Sequence, residues 1–225
     1  MPQLDLTLMT FQLEGAGPRD SEFVRGYLGN RFRECTLLHN HLENGELRFR
    51  YPLVQYRVAD ERVHLLGINE GGAALRHIFL DMTELILRDR RVPLFEKQII
   101  QKTATFGYHP EPINYRFTSP WLGLNQKNFP LWRKADPTAK ADLLRRALVG
   151  NLLALCKGLD LRLHPDQRLT AAPRLTPTEV GFKQKQMIGF RGGFRVNFII
   201  PEGLGLGKSV ARGFGAVARD TEVSG

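Results

Sequence analysis

The chain has 225 residues, enough for one large or two small domains. Lys and Arg total 32 against 23 Asp and Glu, a net charge of +9 with a pI near 9.9, which favours polyanionic partners through steering and counterion release. Two widely separated cysteines, Cys35 and Cys156, exclude a disulfide framework and suit a reducing cytoplasm, and no apolar run approaches the roughly 18 residues of a membrane span. Asp5 lies within the first apolar stretch and no cationic leader precedes it, so no signal peptide is expected.

In chain order, Leu4 to Leu13 reads as a first strand with apolar residues on both faces. Asp20 or Ser21 can cap a helix carrying Phe23, Val24, Tyr27, Leu28 and Phe32. Glu46 to Val58 and Glu61 to Ile68 form a hairpin turning near Ala59-Asp60, with a bulge expected at Pro52, where the apolar alternation changes phase. Gly71-Gly72 opens a helix predicted to carry Leu75, Ile78, Phe79, Met82, Leu85 and Ile86. A charged run meeting Pro93 marks a boundary, which divides the chain into residues 1–92 and 93–225.

Beyond it, Gln98 to Tyr108 and Ile113 to Thr118 read as strands, followed by a loop from Ser119 to Lys134 that holds Trp121, Phe129 and Trp132. These aromatics can stack bases or pack a core, and packing is the favoured reading. Ala139 to Lys157 carries Leu143, Leu144, Ala147, Leu148, Leu152 and Leu155 on one stripe, with Gly158 as its stop, and is the clearest helix. Thr178 to Phe190 and Phe194 to Ile200 form a hairpin expected to turn at Arg191-Gly192-Gly193, and Phe214 to Arg219 is a last strand. The pattern is βαββα followed by βαββ–loop–β, with the second helix of the second unit shortened or absent.

The segment from Gly203 to Gly215 packs five glycines with Lys208 and Arg212 directly after a strand. Exposed backbone N–H groups in such a loop can form an anion concavity, and the two cations point to phosphate. A Walker A loop is excluded because its first glycine would fall at Glu202, and a dinucleotide fingerprint because its third would fall at Lys208. A flexible linker does not explain the apolar Leu204, Leu206, Val210 and Phe214. In the other half, His39 and His41 stand two apart and share a face if the segment is extended. Histidine suits both general-base and general-acid proton transfer because both its forms are available near neutrality. A zinc site from Cys35, His39 and His41 is the rival reading, and it lacks a fourth ligand.

The pattern Gly205-Leu206-Gly207, five residues including Lys208, Ser209 and Arg212, then Gly213-Phe214-Gly215 resembles the glycine-rich loop of the RAMP superfamily. Within it, the loop looks like that of the CRISPR repeat-processing endoribonucleases of the Cas-six family. Cys35-Thr-Leu-Leu-His39-Asn-His41 followed by Tyr51-Pro-Leu-Val-Gln-Tyr56-Arg57 resembles the subgroup associated with subtype I-B systems. The resemblance implies an α+β fold of tandem ferredoxin-like (RRM-like) domains. It also implies cleavage of CRISPR repeat RNA at His39 and His41, with no metal or cofactor, leaving a 2′,3′-cyclic phosphate and a 5′-OH. Lys183, Lys185, Arg191 and Arg195 on the second hairpin, with Gly205, Gly207, Lys208, Ser209, Arg212, Gly213 and Gly215, are the expected RNA contacts. Expected partners are the precursor and processed guide RNA and other subunits of the effector complex, with no membrane, and the protein is a monomer or homodimer. A non-catalytic guide-RNA-binding subunit is the alternative. The phosphate-stabilising cation stays open among Arg31, Arg33, Arg48, Arg50, Lys97 and Lys102, with Tyr51 or Tyr56 as hydrogen-bond donors.

Overall fold

Two units make up the chain, one of Gln3–Ala104 with Val210–Gly213, the other of Met1–Pro2, Thr105–Ser209 and Phe214–Gly225. The computed structural model describes residues 1–38, 51–87, 90–94, 96–182 and 185–221. The first unit runs β1 (Gln3–Gln12), α1 (Ser21–Arg31), β2 (Val54–Ala59), β3 (Arg62–Ile68), α2 (Glu70–Phe79), β4 (Glu84–Leu87), β5 (Arg90–Pro93) and β6 (Gln98–Thr105). Its main sheet has the order β2-β3-β1-β6, which is the ferredoxin-like arrangement. Register places Met9 opposite Leu65 and Leu65 opposite Tyr56, so one row of the sheet enters the core beneath Val24, Leu28, Leu75 and Ile78. The β2–β3 turn falls at Asp60 and Glu61, both at positive φ (50° and 54°), as a two-residue turn matching strand twist requires.

Several boundaries differ from expectation. The strand expected from Glu46 starts at Val54 among the described residues, so Pro52 precedes it rather than bulging it. Asp20 occupies the N-cap position of α1 but makes no side-chain capping bond to it; its carboxylate accepts from the Gly17 N–H at 2.9 Å, within a 3₁₀ turn (Pro18–Asp20) that leads into the helix. The helix α2 stops at Phe79, and Leu85 and Ile86 lie in β4, which pairs with β5. The strand β6, expected in the second domain, lies beside β1. The division therefore falls near residue 105 instead of 92, because the fourth strand of the first sheet comes after the charged run.

The second unit runs β7 (Gly107–Trp121), α3 (Asn128–Lys134), α4 (Pro137–Gly158), β8 (Ala171–Phe182), β9 (Lys185–Ile199) and β10 (Val217–Arg219), with sheet order β10-β7-β9-β8. This repeats the ferredoxin-like order of the first. Asp136 caps α4 by accepting from the Ala139 N–H at 3.0 Å, and Pro137 occupies the first turn. Leu144, Leu148, Leu152 and Leu155 of α4 are buried, as are Tyr115, Phe117, Phe190 and Phe194 of the sheet. The β8–β9 hairpin closes at Phe182 and Lys185, not at Gly192-Gly193, which lie mid-strand opposite Leu175 and Arg174. A 3₁₀ turn (Val210–Arg212) is all that stands between β9 and β10 where a second helix would be. Among the described residues no helix is long and apolar enough to cross a membrane.

Candidate functional site

His39 and His41 lie outside the described residues, as do Arg48, Arg50 and Lys183. The described residues run to Leu38, next to the histidine segment in sequence. The helix α1 hands over to a 3₁₀ turn (Thr36–Leu38), and Leu38 is 1% exposed. The Tyr56 hydroxyl donates to the Leu38 carbonyl at 2.8 Å. Tyr56 is fully buried on β2, and burial raises its pKa well above the ordinary value, opposed in part by the positive charge of Arg25. The phenol therefore stays protonated, and it is a structural donor rather than a phosphate contact.

Arg25, not singled out by the sequence pattern, sits half-buried on α1, where burial lowers its pKa. Its neighbours at i−1 and i+3, Val24 and Leu28, are core residues, which is the signal that could have found it. Arg31 donates to the Asp81 carbonyl at 3.3 Å, and the Lys97 ammonium donates to the Phe79 carbonyl at 2.6 Å and lies 4.8 Å from the Phe79 ring centre. Both cations are thus held by their own unit, while Lys102 is exposed on β6.

Cys35 is half-buried, and burial, followed by the Glu34 charge, raises the pKa of its thiol. The donor atoms of Glu34, Cys35 and His77 lie within 4.8 Å of one another. That set could approach a metal, but a raised thiol pKa disfavours the thiolate ligand. The zinc reading through His39 and His41 falls outside the described residues.

The glycine loop has a different construction from the one expected. The N–H groups of Gly203, Leu204, Leu206, Lys208, Gly213, Gly215 and Val217 all donate to backbone carbonyls of the protein. They are consumed by the fold and do not form an open anion cradle. Gly207 has φ +89°, and a Cβ there would lie 2.7 Å from the Trp121 indole nitrogen. Gly215 has φ +69°, and its Cβ would overlap the Leu206 carbonyl. Leu204 and Leu206 are fully buried, which fixes the loop by packing. Lys208 is exposed on the outside of this loop, with Ser209 beside it at φ +57°. Arg212 is mostly buried, pairs with Glu22 at 3.3 Å, and its carbonyl accepts from the Ser21 hydroxyl at 3.0 Å.

Lys185 stands at the tip of the β8–β9 hairpin, while Arg191 and Arg195 are exposed further along β9. The loop aromatics pack. Trp121 is fully buried, its indole N–H donates to Asn151 Oδ1 at 3.0 Å, and its ring stacks on Phe117 with centroids 5.4 Å apart. Trp132 meets Phe190 edge-on at 5.1 Å.

A family model described as the Cas6b N-terminal domain matches residues 3–105, and one described as the Cas6b C-terminal domain matches residues 107–220. A crystal structure of Cas6b is 29% identical, with a TM-score of 0.89 over 97% of this chain and 100% of that one. A structure of the CRISPR RNA processing endoribonuclease Cas6b is 26% identical, with a TM-score of 0.78 over 97% of this chain and 100% of that one. An uncharacterized protein of Methanocaldococcus jannaschii is 38% identical over 148 residues, 64% of this chain and 98% of that protein. The two domain models follow one another along nearly the whole sequence, and the chain belongs to the Cas6b family.

Proposed function

We propose that this chain is an endoribonuclease that cuts CRISPR repeat RNA in a precursor transcript and so releases guide RNAs. The observation that carries this reading is the match of both halves to Cas6b domains, together with likeness across the chain to a structure named as a CRISPR RNA processing endoribonuclease.

The chemistry is assigned to His39 and His41. One imidazole takes the proton of a ribose 2′-OH. The 2′-oxygen bonds to the adjacent phosphorus, and the bond from phosphorus to the 5′-oxygen breaks. The other histidine, as imidazolium, gives that leaving oxygen its proton. The products are a 2′,3′-cyclic phosphate and a 5′-OH, with no metal or redox partner consumed. The Tyr56 hydroxyl, by holding the Leu38 carbonyl at 2.8 Å, anchors the chain one residue before His39.

Lys183, Lys185, Arg191 and Arg195 are assigned to RNA phosphates, with Lys208 acting from the glycine loop. The packed glycines Gly205, Gly207, Gly213 and Gly215 shape the loop that presents Lys208 and Ser209. Arg212 contributes in part, since Glu22 already holds its guanidinium.

Repeat RNA incubated with the protein in excess EDTA, with the product ends mapped, tests the reading. Cleavage at one position within the repeat, with cyclic phosphate and 5′-OH ends, is expected. Tight binding without cleavage would instead make the chain a guide-RNA-binding subunit.

A further inference from the structure

Two adjacent glycines occupy the middle of β9, and the fold demands glycine strictly at only one of them. Gly192 has φ +120°, and a Cβ there would lie 2.5 Å from the Arg174 carbonyl oxygen. Gly193 has no positive φ, and its Cβ would meet only the Tyr115 carbonyl at 3.2 Å and an Asp220 carboxylate oxygen at 3.9 Å. A Cβ at Gly193 needs the Tyr115 carbonyl to give by a few tenths of an ångström, a far milder conflict than at Gly192. A glycine inside a strand weakens it and often marks a place where a ligand comes close to the backbone.

Four exposed arginines surround Gly193. Arg116 of β7 and Arg174 of β8 are its direct partners in the two neighbouring strands. Arg191 and Arg195 stand two residues before and after it on β9. Paired residues and residues two apart project from the same face, so all four guanidinium groups share one side of the sheet with the bare Gly193. Strand geometry spaces their Cα atoms about 10 Å across the sheet and about 13 Å along it. Among the described residues none of the four side chains has an ion pair or hydrogen bond. The Asp220 carboxylate near Gly193 is one negative charge against four positive ones. Such a concentration of unpaired like charge suits a polyanion. Its extent exceeds a single phosphate and suits several successive phosphates of a strand.

We propose that this face of β8-β9-β7 seats the phosphodiester backbone of the RNA, with Gly193 as its floor and Arg116 and Arg174 as its two sides. Arg191 and Arg195 then hold neighbouring phosphates along β9. The proposal rests on the RNA-processing reading and adds Arg116, Arg174 and Gly193 to it.

Fluorescence anisotropy with labelled repeat RNA, over a range of salt concentrations, tests the seat on the full chain. The double variant Arg116→Gln/Arg174→Gln should weaken binding tenfold or more. It should also reduce the slope of log affinity against log salt by about 1.4, since a single strand contributes about 0.7 per neutralised phosphate. Gly193→Val changes no charge, yet should weaken binding at least threefold by raising the floor. Wild-type affinity and slope in the double variant would overturn the seat. So would wild-type affinity in a Gly193→Val protein that melts as a folded chain, because diffuse attraction would then account for the arginines. Cleavage is followed in the same samples. A wild-type protein that neither binds nor cuts repeat RNA sinks the RNA-processing reading and the seat together. Binding and cutting by wild type with unchanged variants sinks the seat alone.

Discussion

The Tyr56 hydroxyl and the Leu38 carbonyl form a buried pair whose loss has a definite sign. Tyr56→Phe leaves the carbonyl without a donor, which should cost about 1–3 kcal/mol in urea unfolding. Its pH dependence follows from the raised pKa. Below the ordinary tyrosine value near 10, folded and unfolded chains both carry the proton and the phenol adds no pH dependence. Above it only the unfolded chain releases the proton, so stability falls as pH rises. The Phe variant should show a shallower alkaline loss than wild type; equal slopes would mean that Tyr56 is not the buried donor described. If the segment it anchors carries the catalysis, His39→Ala or His41→Ala should lower the single-turnover rate about a hundredfold or more, with little change in RNA affinity. Wild-type rates in both single variants would move the site elsewhere.

Among the elements, the glycine loop separates packing from binding. Gly215→Ala puts a Cβ into the Leu206 carbonyl at a positive φ, and should cost about 1–3 kcal/mol. Lys208→Ala, at an exposed position, should change stability by less than about 0.5 kcal/mol. It should also lower the salt slope of RNA binding by roughly 0.7 to 0.9. A Gly215→Ala protein as stable as wild type, or a Lys208→Ala protein with an unchanged slope, would contradict that division. The loop was legible in the sequence as a glycine pattern, but the use of its N–H groups was not. Those groups pair with carbonyls such as those of Pro120 and Leu122, more than 80 residues earlier, and spacing within the loop carries no trace of such pairing. The helix α4 was legible because its cap and its apolar stripe are local. The β8–β9 turn was misplaced because Arg191-Gly192-Gly193 has turn composition, whereas the actual closure at Phe182 and Lys185 has none. Arg25 could have been found from its place between the apolar Val24 and Leu28 of α1, whereas Arg116 and Arg174 joined Arg191 and Arg195 only once strand register was known.

At the scale of the whole molecule, each unit carries the same sheet order, with no repeat visible in its residues. The order arises from pairings distant in sequence, and for that reason β6 was assigned to the wrong unit while the fold class was still readable. The net charge of +9 prepares the chain for a polyanion, and the arginines of β7, β8 and β9 give that charge a place. In the mechanism proposed for His39 and His41, the RNA supplies its own nucleophile to a metal-independent site. The most direct measurement compares single-turnover cleavage, in excess EDTA, of repeat RNA and of the same RNA with one 2′-deoxy nucleotide immediately 5′ of the cut. Full-rate cleavage of the unmodified RNA is expected, with a deoxy substrate that binds with similar affinity and stays intact. Cleavage of the deoxy RNA, which would make water the nucleophile, or loss of activity towards the unmodified RNA in EDTA, would contradict that mechanism.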